Sequence, residues 1–278
     1  MDSVPPSDAC VYCGATENIT DEHVFPDWVR RILGIPEGTA GTLSVNGVDV
    51  EEGALEIVLH AVCKNCNAKW GNLVEQKVRK WIGDSIPNWR EPFTLGPYQR
   101  RVTAAWAVKT ALLLEIRLRG QRRPSLAPPS HLRYLLDHLE HPLSPPGSRV
   151  WMFGVEPEPG VPWTAAASTR EPTQTELPIA YFATFTIGYI GFQVFGPESV
   201  PSDLDPDLLK VMETEPPAHL QSRLQRIWPS DEVYRWPPDE HFANDELVPL
   251  ADWPHHATAD SPHWYRSHDG NPQRTQLR

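Results

Sequence analysis

Two short cysteine pairs carry the clearest chemical signal in this chain. Cys10-Val-Tyr-Cys13 and Cys63-Lys-Asn-Cys66 hold all four of its cysteines. Each Cys-x-x-Cys pair can present two thiolates to one ion, and two pairs complete a tetrahedral zinc site with Zn–S near ~2.3 Å. The alternative, a pair of disulfides, suits an oxidising compartment. The N-terminus, Met1-Asp2-Ser3-Val4-Pro5-Pro6, reads as lacking a signal peptide, so metal is favoured. Four protein ligands leave no open position for water or substrate, which makes this zinc structural. Any chemistry must come from nearby residues. Asp21-Glu22-His23-Val24-Phe25-Pro26 lies between the knuckles, and Asn67, Gly71, Asn72 and Glu75 follow the second. Glu22, His23 and Asn67 form a candidate hydrolytic centre held in place by the zinc site.

Taken together these pieces resemble the HNH endonuclease family, over residues 10–75. The matching residues are Cys10, Cys13 and Gly14; Glu22, His23, Val24, Phe25 and Pro26; Cys63, Cys66 and Asn67; then Gly71 and Glu75. The resemblance implies a ββα-metal module that hydrolyses phosphodiester bonds in DNA. It assigns His23 as general base, a role that imidazole suits near neutral pH. It assigns Glu22 and Asn67 as ligands of a catalytic Mg²⁺ or Mn²⁺, for which carboxylate and amide oxygens are suitable. The family's middle asparagine, which orients the base, corresponds here to Val58. A backbone carbonyl, Glu56 or His60 is left to take its place. His60 thus enters as a further catalytic candidate, against a plain reading as a surface or core strand histidine. Glu75 has an equally plain reading as a helix residue paired with Lys77, Arg79 or Lys80. Lys64 and Lys69 are solvated cations or phosphate contacts.

Charge is distributed unevenly. The net charge is −11 overall, which argues against a general nucleic-acid binder. Residues 77–133, however, carry twelve Lys/Arg against three Asp/Glu, with acidic stretches on both sides. This basic block is either a solvated face or a place where phosphates lie. The expected partner is DNA. No membrane is expected, since no apolar run is long enough to cross one, and a soluble cytoplasmic protein follows. Pairing of subunits is left open.

The elements that must position these residues follow from periodicity. Residues 18–24 read as a short strand carrying Glu22 and His23, and residues 26–33 as a helix ending at Gly34. Val45-Asn46-Gly47-Val48 has the pattern of a tight hairpin turn, and 54–62 reads as a strand delivering the second knuckle. Trp70, Leu73, Val74, Val78, Trp81 and Ile82 have helical spacing. Residues 102–119 form the strongest helix, apolar nearly all round and therefore buried. Residues 131–141 suggest an amphipathic helix, 149–156 and 180–195 buried strands, 156–178 a loop, and 204–212 and 217–227 short surface helices. From Trp228 onward an extended wrap is expected.

The fold class is α+β: an N-terminal zinc-stabilised ββα-metal (HNH-like) module, then an α+β domain with a buried helix and an antiparallel sheet. The expected division is a disordered leader 1–9, a nuclease module 10–90, an accessory domain 91–250 and a disordered tail 251–278. Its aromatic clusters read as core before they read as a base-stacking platform. Two other readings compete. One is a non-catalytic zinc module that binds nucleic acid or protein. The other is a different enzyme on this scaffold.

Overall fold

A computed structural model describes residues 9–36, 40–45, 48–53, 57–119, 127–156, 163–170, 180–197, 216, 218–243 and 246–247. The expected leader (residues 1–8), the 204–212 helix and the 251–278 tail lie outside the described residues. So do the turn residues Asn46 and Gly47 and the candidate Glu56.

The chain folds as α+β. A short ladder pairs β1 (Ile19–His23) with β4 (Val58–Cys63), antiparallel. Helix α1 (Asp27–Leu33) follows β1 and ends at Gly34. The hairpin β2 (Ala40–Val45) and β3 (Val48–Gly53) separates the two ladder strands, with Val45 opposite Val48 as the tight-turn signal requires. After β4 the chain turns directly into helix α2 (Lys64–Trp70). A π-helical segment (Gly71–Glu75) and helix α3 (Gln76–Ile82) continue it. The buried residues of this composite helix are Cys66, Trp70, Val74, Val78 and Ile82, spaced strictly by four. A regular α-helix rotates by roughly 40° over each such step, so the row would drift off the core. The wider π turn, in which the Gln76 N–H donates to the Gly71 carbonyl, takes back part of that drift.

Helix α4 (Pro97–Arg119) is the centre of the molecule. Val102, Ala104 to Val108 and Ala111 to Leu114 are fully buried, as an all-round apolar sequence demands. It starts five residues earlier than its apolar run, because Pro97 is well suited to a first helical position. A large sheet packs against it. The strand order is β10 (Gln225–Trp228), β6 (Arg149–Glu156), β9 (Ile190–Pro197), β8 (Ala180–Ile187), β7 (Trp163–Arg170), β2, β3; β12 (His241–Ala243) pairs with β6. Most pairings are antiparallel, but β2 with β7 and β12 with β6 are parallel. Along β6, Val150 and Met152 join the α4 core. Trp151, Phe153 and Val155 instead face a second apolar cluster with Leu220, Leu224 and Phe242. This is the two-residue alternation of a strand covered on both faces. Two short strands, β5 (Phe93–Leu95) and β11 (Tyr234–Trp236), pair at the edge, and Phe93 stacks on Trp236 at 5.5 Å.

Helix α5 (Pro129–Asp137) confirms the amphipathic segment, somewhat shorter than its periodicity suggests. Two expectations need correction. Residues 156–178 contain strand β7, although its Thr164 to Thr169 run is mostly small residues of weak strand preference. Pairing on both edges, with β8 and with β2, supplies what propensity lacks. Residues 217–227 hold only one helical turn, α6 (Ala218–Gln221), before β10 pairs with β6. At the β8–β9 turn, Gly188 has φ +56° and a Cβ there would sit 2.0 Å from the Ile86 carbonyl oxygen. The turn therefore requires glycine at this position.

The β2–β3 hairpin, which lies in the expected 10–90 module, belongs to the same sheet as β6, β7, β8, β9 and β10. The zinc segment is also joined to the sheet through aromatics. Phe25 packs on Phe185 at 5.7 Å. Trp106 of α4 contacts Trp28, Phe185 and Phe192. Among the described residues no helix is long and apolar enough to cross a membrane.

Candidate functional site

The first knuckle is a tight turn. The Gly14 N–H donates to the Cys10 carbonyl at 2.8 Å, with Gly14 at φ +75°, where a side chain would be strained. The Val11 N–H donates to the Ala61 carbonyl and the Lys64 N–H to the Asn18 carbonyl, both at 2.9 Å. These bonds bring the first knuckle against the end of β4, where Cys63 closes the strand and Cys66 sits in the first turn of α2.

The four sulfurs all lie within 4.8 Å of one another, and none is in a disulfide. Cys13 Sγ and Cys63 Sγ are 3.7 Å apart. A zinc tetrahedron with ~2.3 Å bonds has S···S edges near ~3.8 Å, so the cluster fits the ion. Electrostatics points the same way. Burial, followed by the charge of Cys10, pushes the Cys66 thiol far above its ordinary pKa when no cation balances it. Four thiolates at this spacing need a cation among them.

Beside this cluster lies a second, charged one. β1 alternates: Asp21 and His23 are exposed, while Glu22 is only 4% exposed and points inward. There Glu22 Oε1 accepts a short hydrogen bond from Lys109 Nζ, which comes from the middle of α4. The same ammonium donates to Glu75 Oε1 at 2.7 Å. Lys109 is completely buried. Burial alone would lower its pKa, but the charges of Glu75 and Glu22 overcome this and raise it above that of an ordinary lysine. Two carboxylates facing one ammonium leave a net negative charge. Glu22 Oε2 has no partner among the described residues.

Tyr12 and Trp70 join the two clusters. Their rings are 5.9 Å apart, and Lys109 Nζ lies 5.9 Å from the Trp70 ring centroid. Burial raises the Tyr12 pKa strongly, and the charges of Glu22, Glu75, Cys10 and Cys66 add to it. Its hydroxyl and the Trp70 Nε1 have no hydrogen-bond partner among the described residues.

The outer face of the ladder is different. His23 lies opposite Val58, and Asp21 opposite His60. His60 Nδ1 is 2.8 Å from Asp21 Oδ1, with both side chains 67% exposed. Such an exposed pair adds little stability, but it fixes the ring. His23 and His60 are diagonal neighbours on this face.

Of the residues singled out from sequence, the four cysteines converge. Glu22 and Glu75 meet through Lys109, and His60 meets Asp21. His23 stands on the opposite face of β1 from the Glu22 side chain. Asn67 is half-buried on α2, one residue beyond Cys66. Val58 gives His23 no polar cross-strand partner. Sequence reasoning overlooked Lys109 and Asp21. The signal for Lys109 was present: a lysine in the middle of an otherwise apolar buried helix requires a carboxylate partner. Comparison with protein-family models, curated proteins and solved structures finds no match to this chain.

Proposed function

We propose that this chain is a zinc-stabilised, metal-dependent endonuclease of the HNH type that hydrolyses phosphodiester bonds in DNA. The observation that carries the reading is the exposed His23 on a strand held from both sides. Its neighbour Glu22 is gripped by Lys109, and its partner strand ends in the four-cysteine cluster. Neither hold leaves β1 free to swing, which is the preorganisation a general base needs.

In this reading His23 takes a proton from the attacking water. By the resemblance Glu22 and Asn67 would hold Mg²⁺ or Mn²⁺, although Glu22 is turned inward to Lys109, on the face of β1 opposite His23. A bound ion would neutralise charge developing on the phosphate. Lys109 fixes Glu22 from behind without cancelling the charge of both carboxylates. The Tyr12 and Trp70 rings pack beside this back side. Asp21 and His60 stand beside His23, where His60 can orient the water or contact phosphate in place of the family's middle asparagine.

A second reading has one observation in its favour. His23 faces Val58, so no side chain across the ladder orients it. The module would then bind nucleic acid or a protein without cutting.

Supercoiled plasmid incubated with the full chain and Mg²⁺ or Mn²⁺ should become nicked or linear. His23→Ala should slow this by about 100-fold or more. Plasmid that is retarded in a gel but stays intact would favour the second reading. Plasmid neither bound nor cut would remove both.

A further inference from the structure

On the surface beyond the composite helix, one exposed aromatic ring is bracketed by two cations. Tyr98 lies in the first turn of α4 and is 39% exposed, one of two large hydrophobic side chains so exposed among the described residues. Lys77, in the first turn of α3, donates to the Tyr98 hydroxyl at 2.9 Å, and its ammonium is 5.6 Å from the ring centroid. The Arg101 guanidinium lies 5.9 Å from the same centroid. Trp81 of α3 supports the ring edge-on at 6.0 Å. Arg79 and Lys80 stand exposed on the same helix.

Like charges gathered on one ring repel each other unless an anion joins them. Here the protein provides none. Among the described residues no carboxylate lies within ion-pair distance of Lys77, Arg79, Lys80 or Arg101. The first turns of α3 and α4 also contain no acidic residue. Arg100, next in sequence, is buried and faces the charges of Asp231 and Glu232, so it does not belong to the group. The hydrogen-bonding geometry is that of an anion cradle. Lys77 keeps two of its three donors, Arg101 has its fork, and the Tyr98 hydroxyl uses a lone pair toward Lys77 and retains its own proton to donate.

We propose that Lys77, Tyr98 and Arg101 form a docking site for the phosphodiester backbone of a nucleic acid. This rests on the nuclease reading above and gives that reading a substrate-positioning surface. The site is local and positive on a chain of net charge −11. It therefore recruits a polyanion at one face while the rest of the surface repels it. Because the contacts are to phosphate, they position the strand and do not read its bases.

The test uses the full chain carrying His23→Ala, so that cleavage does not intervene. Binding of a fluorescently labelled DNA duplex is measured by anisotropy across a series of NaCl concentrations. Lys77→Gln/Arg101→Gln should weaken binding by roughly tenfold or more. It should also lower the slope of log K against log salt by about 2. Tyr98→Phe, which keeps the ring, should give a smaller loss than Tyr98→Ala. Arg133→Gln, which removes a cation already paired with Asp137, should leave both affinity and slope unchanged. A thermal melt of each variant excludes loss of fold. If the Lys77/Arg101 variant melts and binds like its parent, the site is overturned while the nuclease reading stands. If the parent binds no DNA at any salt, the nuclease reading falls and this site with it. If every variant weakens binding equally, Arg133→Gln included, the effect is general charge and the specific cradle is wrong.

Discussion

Glu22 and His23 are adjacent in sequence and face opposite ways. On a strand this is unavoidable, and here it divides their tasks. His23 meets solvent, whereas Glu22 meets Lys109 in the core. An ammonium in the buried, mostly apolar middle of α4 is sustained only by its carboxylates. Lys109→Met should therefore destabilise the protein by about 3–5 kcal/mol, because it leaves the buried Glu22 and the half-buried Glu75 carboxylates against each other. The triple variant Lys109→Met/Glu22→Gln/Glu75→Gln should recover much of that loss, since no uncompensated charge remains. Urea denaturation of both variants at neutral pH checks the pair of outcomes. Equal loss in the two would show that the lysine matters for packing and not for charge.

At the scale of elements, α4 is the piece on which everything else is laid. It receives the sheet through Trp106, the zinc segment through Lys109, and α5 along its length. Helix α5 is fixed to the sheet by a polar contact. His131 is buried, with Nδ1 3.2 Å from the Tyr181 hydroxyl of β8. Burial lowers its pKa from the ordinary 6.5 to about 4. The folded state thus resists protonation over a range in which the unfolded chain accepts it. The stabilisation is complete above about pH 6.5 and is lost as pH falls toward 4. Between pH 7.5 and pH 5 the loss should be on the order of 2 kcal/mol. Urea titrations at the two pH values should show it, and His131→Phe should flatten the dependence. An unchanged pH slope in that variant would assign the acid sensitivity to other groups.

Across the whole molecule, the four-cysteine cluster brings together residues far apart in the chain, with 49 residues between Cys13 and Cys63. The closure spans the ladder and excludes the β2–β3 hairpin, which departs to the large sheet. Metal analysis should return about one zinc per chain. Chelation, or Cys66→Ser, should lower the melting temperature and expose the Trp70 region, followed by its fluorescence. The large sheet should persist, because its strands pair with one another and not with the β1–β4 ladder that carries the cysteines. Cooperative loss of the entire fold on chelation would show instead that α4 cannot stay in place without the zinc segment.

The sequence by itself determined the parts whose signal is local. The paired cysteines announce a four-thiol cluster of the kind that can hold a metal such as zinc, and the four do converge. Residues 18–24 read as a short strand, but that Glu22 turns inward while His23 meets solvent was decided by packing. The all-apolar run of 102–119 specifies a central helix. Val45-Asn46-Gly47-Val48 specifies a hairpin, although not the sheet it joins. Tertiary structure decided the pairings between distant segments. Strand β7 exists because β8 and β2 hold its two edges, which no property of Ala165-Ala166-Ala167 announces. Glu22, Glu75 and Lys109 are separated by up to 87 residues, and each alone has an ordinary local explanation. Only packing of α4 against the ladder brings the three charges to one point. The same holds for Lys77, Tyr98 and Arg101: the excess of positive charge was visible in sequence, but the ring that gathers it was not. Periodicity reports which face of an element is buried. What that face meets is fixed by long-range contacts, whose energy depends on the whole core forming at once.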